Sequence, residues 1–154
     1  MFRKVSLLIM SISFILFPQQ LYAASPHYVN SSALIYSNGH LIVDATVAGL
    51  GNGTHTYKLN GTSVTVTAGC RNNSGQFPNG TQKFAGSGLG WNVTDITGTT
   101  SNGNVWVYHD FSPVSGFVGT CPTGQTWTVK SVSGSIDVII DDGLFTGNIT
   151  VKAA

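Results

Sequence analysis

Apolar residues recur at every second position in short stretches along most of the chain. Leu41, Val43, Ala45 and Val47 alternate with His40, Ile42, Asp44 and Thr46. Val64 and Val66 alternate with Thr65 and Thr67, and Ile136, Val138 and Ile140 with Asp137 and Ile139. Val105 and Val107 alternate with Trp106 and Tyr108, while Phe145, Ile149 and Val151 share one parity in the last segment. A period of two with β-branched enrichment predicts half-buried strands. Beyond the first 23 residues no segment carries a convincing 3.6-residue period.

The punctuation agrees with strands. Asn38-Gly39, Asn60-Gly61 and Asp142-Gly143 each separate two alternating runs. These dipeptides favour type I′ turns, in which both central residues take positive φ. Three hairpins, with further strands near 90–96 and 104–111, predict an all-β fold: an antiparallel β-sandwich of about seven to eight strands. A small closed barrel is the alternative. Segments 69–82 and 112–125 read as long polar loops, of a length that often carries function.

Residues 1–23 have the pattern of a secretory signal peptide. Arg3 and Lys4 precede the thirteen-residue apolar stretch VSLLIMSISFILF, followed by Pro18 and a small residue, Ala23, before the expected cut. Thirteen residues are too few to span a bilayer, which takes about 20. The expectation is therefore a single domain over 24–154, secreted to an extracellular or periplasmic compartment, without a membrane span. An exported chain meets oxidising conditions, so Cys70 and Cys121, 51 residues apart, are expected to form a disulfide. Trp127 is expected to pack on it.

Charge narrows the function classes. Only 8% of residues are charged, glutamate is absent, and the formal net charge is +1. After the leader, five cations face six aspartates. A nucleic-acid partner held by a basic surface is not supported. Nor does the sequence point to catalysis. His109 and Asp110 are adjacent on a strand and so face opposite ways. Asp141-Asp142 falls in a turn, where Asp is expected for turn chemistry, and His27, His40 and His55 have no evident partners. No GxSxG, HExxH or paired-Glu arrangement is present. The glycine clusters at 49–53 and 86–90 run into strands rather than helices, so they read as bends rather than phosphate loops. No cofactor or metal is implied; the Asp-Asp-Gly turn lacks the spaced oxygen ligands that calcium takes. The protein is expected not to be an enzyme.

The aromatic residues offer the most chemistry. Trp106 and Tyr108 share one strand face, and with Trp91 they form a candidate ligand platform beside abundant Asn and Thr donors. Large aromatics dominate cores, so burial of the pair is the expectation, and their exposure would favour sugar binding. Seven Asn-X-Ser/Thr sequons, at Asn30, Asn52, Asn60, Asn72, Asn79, Asn92 and Asn148, coincide in part with turns, which explains Asn without a glycan.

At VAGLGNG (47–53), CRNNSGQFPNG (70–80) and CPTGQTWTVKSV (121–132) the chain resembles a group of small secreted bacterial β-rich proteins. They share a GLGNG turn, a Cys before an Asn/Gly/Pro/Gln loop, and a Cys-Pro ahead of a Trp-Thr-Val strand. The loop here departs from the group's Pro-Gly-rich version at Arg71 and Phe77. The resemblance implies export, β-structure and the disulfide, and it brings no activity or catalytic residue with it. Two functional expectations stand ahead of a third, a small secreted hydrolase assembled from His109, Asp110 and loop Ser or Thr groups. One is a non-enzymatic structural or interaction protein that self-associates or binds an extracellular protein, through sheet edges or through residues 25–32 donated as a strand. The other is a carbohydrate-binding module.

Overall fold

A computed structural model describes residues 25–86, 90–99, 102–113 and 116–154. Residues 1–23, expected to be a signal peptide, and Gly88 of the second glycine cluster lie outside the described residues. The strands are β1 (His27–Ile35), β2 (Leu41–Ala48), β3 (Thr54–Asn60), β4 (Thr65–Asn72), β5 (Gln82–Ala85), β6 (Asn92–Thr99), β7 (Val105–Phe111), β8 (Gln125–Ser133), β9 (Ser135–Ile140) and β10 (Phe145–Ala153). They form a seven-stranded sheet in the order β6-β3-β9-β10-β1-β2-β7 and a three-stranded sheet in the order β5-β4-β8. The all-β, sandwich-like architecture expected from the alternation is present.

The strand count exceeds expectation by β5 and β8, and two continuous stretches change sheets midway. β8 runs into β9 through the single residue Gly134, at φ +99, passing from the small sheet to the large one. β3 and β4 likewise belong to different sheets, so Asn60-Gly61 is a corner and not a hairpin. Neither Asn60 nor Gly61 has positive φ. The Gly61 N–H donates to the Trp91 carbonyl (2.9 Å), and Val64 N–H closes a turn back onto Gly61 (3.1 Å). Strands that switch sheets in this way make the closed ends of orthogonal sandwiches. The two corners touch: the Ser63 hydroxyl donates to the Ser135 carbonyl (3.2 Å), and a Cβ on Gly134 would collide with the Ser63 backbone.

Asn38-Gly39 does join neighbouring strands, β1 and β2. The Gly39 N–H donates to Tyr36 and the Tyr36 N–H to His40, both at 2.9 Å, with Gly39 alone at positive φ. That is a three-residue loop with a glycine bulge rather than a type I′ turn. Asp142-Gly143 lies in the β9–β10 hairpin, a four-residue loop with Asp141, Asp142 and Gly143 all at positive φ.

Pairing is antiparallel except between β1 and β10, which run parallel. That ladder covers only Ala33–Ile35 against Val151–Ala153. Below it the two strands part around a cleft of about 460 Å³ lined by Ser31, Ser32, Asn148, Thr150 and Lys152. Residues 27–32, expected as a free polar extension, are instead part of β1 and pair with β2. The extension is therefore not free to be donated to a neighbour.

The inward parity builds one core. Ile35, Leu41, Val43, Val47, Val105 and Val107 of the large sheet pack with Val64, Val66 and Ala68 of the small one, around Trp91 and Phe117. The large sheet curls so far that the Tyr57 hydroxyl on β3 donates to the Tyr108 carbonyl on β7 (3.1 Å). Among the described residues β6 and β7 form no ladder with each other, so the sheet stops short of a closed barrel. Cys70 of β4 is bonded to Cys121, with Cα atoms 5.5 Å apart. Trp127 of β8 pairs with Cys70 in the ladder and lays its ring on Gly119, beside the bridge.

Candidate functional site

β7 is an edge strand of the large sheet, and its parity decides which aromatics meet water. Val105, Val107 and Phe111 point into the core. Trp106, Tyr108 and Asp110 therefore point outward. Trp106 is 63% exposed and Tyr108 42% exposed, with ring centroids 5.4 Å apart and planes inclined by 38°. This reverses the expectation that the pair is core. The inward places on β7 are filled by the valines, so the larger aromatic residues are left on the outside. Trp91, the third candidate, is fully buried. It stands just ahead of β6 and fills the space behind the β3–β4 corner, so it is no part of any platform.

Neighbours on β2 fix the pair. Thr46 lies opposite Trp106 and Asp44 opposite Tyr108. The Trp106 indole N–H donates to Asp44 Oδ1 at 2.8 Å, holding the ring against the sheet with its outer surface free. Beneath Tyr108, the buried Tyr57 hydroxyl anchors the β7 backbone; burial pushes the Tyr57 phenol above its ordinary pKa. Further along the same face, Asp110 accepts a hydrogen bond from His40 Nδ1 at 2.7 Å. At the other end lies a shallow hollow of about 510 Å³, lined by His27, Ala48, Gly49, Gly51, Asn52, Asn102, Gly103 and Asn104. Neither β2 nor β7 carries a Lys or Arg.

Sequence reasoning missed the His–Asp pairs. Besides His40–Asp110, the His55 Nδ1–H donates to Asp141 Oδ2 at 2.5 Å, and the Thr56 N–H donates to Asp141 Oδ1 at 2.9 Å. Their partners are 70 and 86 residues apart, beyond any local signal. His109 and Asp110 do not pair; His109 packs edge-on against Phe111, and burial lowers its pKa. A His–Asp pair resembles part of a catalytic triad, which also needs a nucleophile on the far imidazole nitrogen. His55 is 8% exposed and its Nε2 is buried without a partner. Among the described residues no hydroxyl or thiol is hydrogen-bonded to His40 or His55, and no group of three His, Cys, Asp or Glu side chains could hold a metal.

The His55–Asp141 contact does structural work, since it pins the β9–β10 hairpin to β3. The His55 hydrogen bond, followed by the Thr56 N–H, holds the Asp141 carboxyl below its ordinary pKa of 3.8. A depressed folded-state pKa contributes stability that is present above the unfolded value and lost as pH falls through the folded one. Asp141→Asn is therefore expected to weaken the fold near pH 6 and to shrink the loss of stability below about pH 4. Asn tolerates the positive φ at this position, so the backbone is spared. Urea midpoints of both proteins at pH 6 and pH 3 check this. Equal pH sensitivity in the two would refute the coupling.

No protein-family model matches the chain, and no curated protein matches it.

Proposed function

We propose that this is a secreted, non-enzymatic binding protein whose ligand is a carbohydrate held on Trp106 and Tyr108. The observation that carries the reading is the exposure of both rings on the outer face of β7. Exposed large aromatics are costly in a monomer and commonly mark a binding surface. The C–H face of a pyranose stacks on such rings, while its hydroxyls need donors and acceptors nearby. Asp44 and Thr46 of β2 stand opposite the rings for that purpose. Secretion is supported by the leader-like residues 1–23 and by the disulfide, which suits an oxidising compartment. A non-enzymatic role is supported by the scarcity of paired acids and by the lack, among the described residues, of a hydroxyl or thiol bonded to His40 or His55.

A glycan array probed with the mature protein tests this. Binding to a subset of glycans, reduced at least tenfold in Trp106→Ala, is the expected result. No binding to any glycan would overturn the reading, as would a hydrolase activity abolished by His40→Ala or His55→Ala.

Self-association by strand addition is the second reading, favoured by the early end of the β1–β10 ladder at Ala33 and Val151. There β1 keeps one edge without a ladder partner, a place where an extended segment can pair. A strictly monomeric protein in sedimentation at high concentration would remove it.

A further inference from the structure

The aromatic pair is part of a longer strip. Asn104, immediately before β7, and Trp106, Tyr108 and Asp110 on its outer face follow one another at two-residue intervals. From Asn104 to Tyr108 is about 13 Å at the rise of an extended strand. The strip opens at its Asn104 end into the hollow of about 510 Å³, which exposed Asn52, Asn102 and Asn104 line together with Gly49, Gly51 and Gly103. The Leu50 N–H donates to the Gly103 carbonyl at 3.2 Å, tying the two glycine-rich turns that frame the hollow. Each carboxamide both donates and accepts, the pairing that vicinal hydroxyls require.

Charge sets the rest. Asp44 and Asp110 flank the rings, and no Lys or Arg stands on β2 or β7. A uronic acid or sulfated sugar laid on this strip would meet these carboxylates with no Lys or Arg on either strand to offset them.

We propose that the platform and the Asn/Gly hollow form one extended site for an uncharged oligosaccharide. One ring stacks on Trp106 and Tyr108, and the adjoining sugar places its hydroxyls on the amides of Asn104, Asn102 and Asn52. The inference rests on the carbohydrate reading above and adds ligand length and charge to it.

Calorimetric titration of the mature protein with cello- and chito-oligosaccharides, from the monosaccharide to the hexasaccharide, tests it. Oligogalacturonides of equal length serve as the charged comparison. The expected result is a rise in affinity of at least tenfold from monosaccharide to tetrasaccharide in one neutral series, with the galacturonides at least tenfold weaker. Asn104→Ala and Asn52→Ala should each lower tetrasaccharide affinity severalfold and leave monosaccharide binding unchanged. Both positions are exposed, and an unchanged melting temperature verifies that the variants fold. Trp106→Ala should abolish binding of every length.

Binding that depends on Trp106 but is as tight for the monosaccharide, or is untouched by both Asn variants, overturns the extended site and leaves the platform standing. Equal or better binding of galacturonides overturns the charge selection. Failure of every neutral oligosaccharide to bind overturns the inference, and a glycan array blank as well removes the carbohydrate reading with it.

Discussion

Removing the Cys70–Cys121 bridge, as the Cys70→Ala/Cys121→Ala double variant, is expected to lower stability by about 4 kcal/mol. The bond closes a loop with a sequence separation of 51 residues, and most of that figure is chain entropy returned to the unfolded state. The native contacts around it argue that the variant still folds. β4 pairs with β8 from Thr65 to Asn72, with Cys70 itself opposite Trp127, so the small sheet does not depend on the bridge for its register. The bridge instead ties the stretch before β8, including Gly119 and Thr120, to the end of β4. Guanidinium denaturation of the oxidised protein and the double variant measures the difference. Coincident transitions would show that the unfolded chain gains nothing when the bridge is absent.

Trp91→Ala is expected to cost about 3–5 kcal/mol, the range for emptying a buried aromatic site. Trp91 is fully buried, and its main-chain carbonyl accepts the Gly61 N–H at the β3–β4 corner. The space left could not close easily, because Gly61 and Ile136 already meet behind the ring. Trp91→Phe should cost much less, about 1.5 kcal/mol or under. The indole N–H of Trp91 has no acceptor among the described residues, so Phe surrenders volume without breaking a hydrogen bond to any of them. Trp106→Ala, on the exposed face, should shift stability by about 0.5 kcal/mol at most. The contrast between two tryptophans in one chain is readable from thermal melts. Equal costs at positions 91 and 106 would contradict the burial pattern.

The strands were legible in the sequence wherever the two faces differ in polarity. Leu41 to Val47 is such a case, because the core takes one parity and water the other. β7 was not, since Val-Trp-Val-Tyr offers apolar residues to both faces and period two then cannot say which is inside. The platform followed from which side of β7 the neighbouring strands bury, a tertiary fact. The first half of β1, ahead of the legible Ser-Ala-Leu-Ile, was hidden for the opposite reason. This half, His-Tyr-Val-Asn-Ser, is largely polar because it pairs with β2 while its far side opens on a cleft, and a bulge between Tyr28 and Asn30 breaks the period. Asn60-Gly61 carried a hairpin signal, yet β3 finds its partners in β6 and β9, and the chain turns a corner there instead. The disulfide needed only two cysteines and a compartment. The His–Asp pairs needed the fold.

The parallel contact between β1 and β10 bears on when the protein can fold. These strands are the first and last of the ten, and they lie side by side within the large sheet. The order of that sheet places β6, β3 and β9 on one side of the junction and β2 and β7 on the other. Until residues 145–153 have emerged, the two groups have no strand to join them. Pairings this distant in sequence slow folding, because the entropy of closing the long loop comes before its reward. A growing chain would thus leave the two halves of this sheet unjoined until β10 is made.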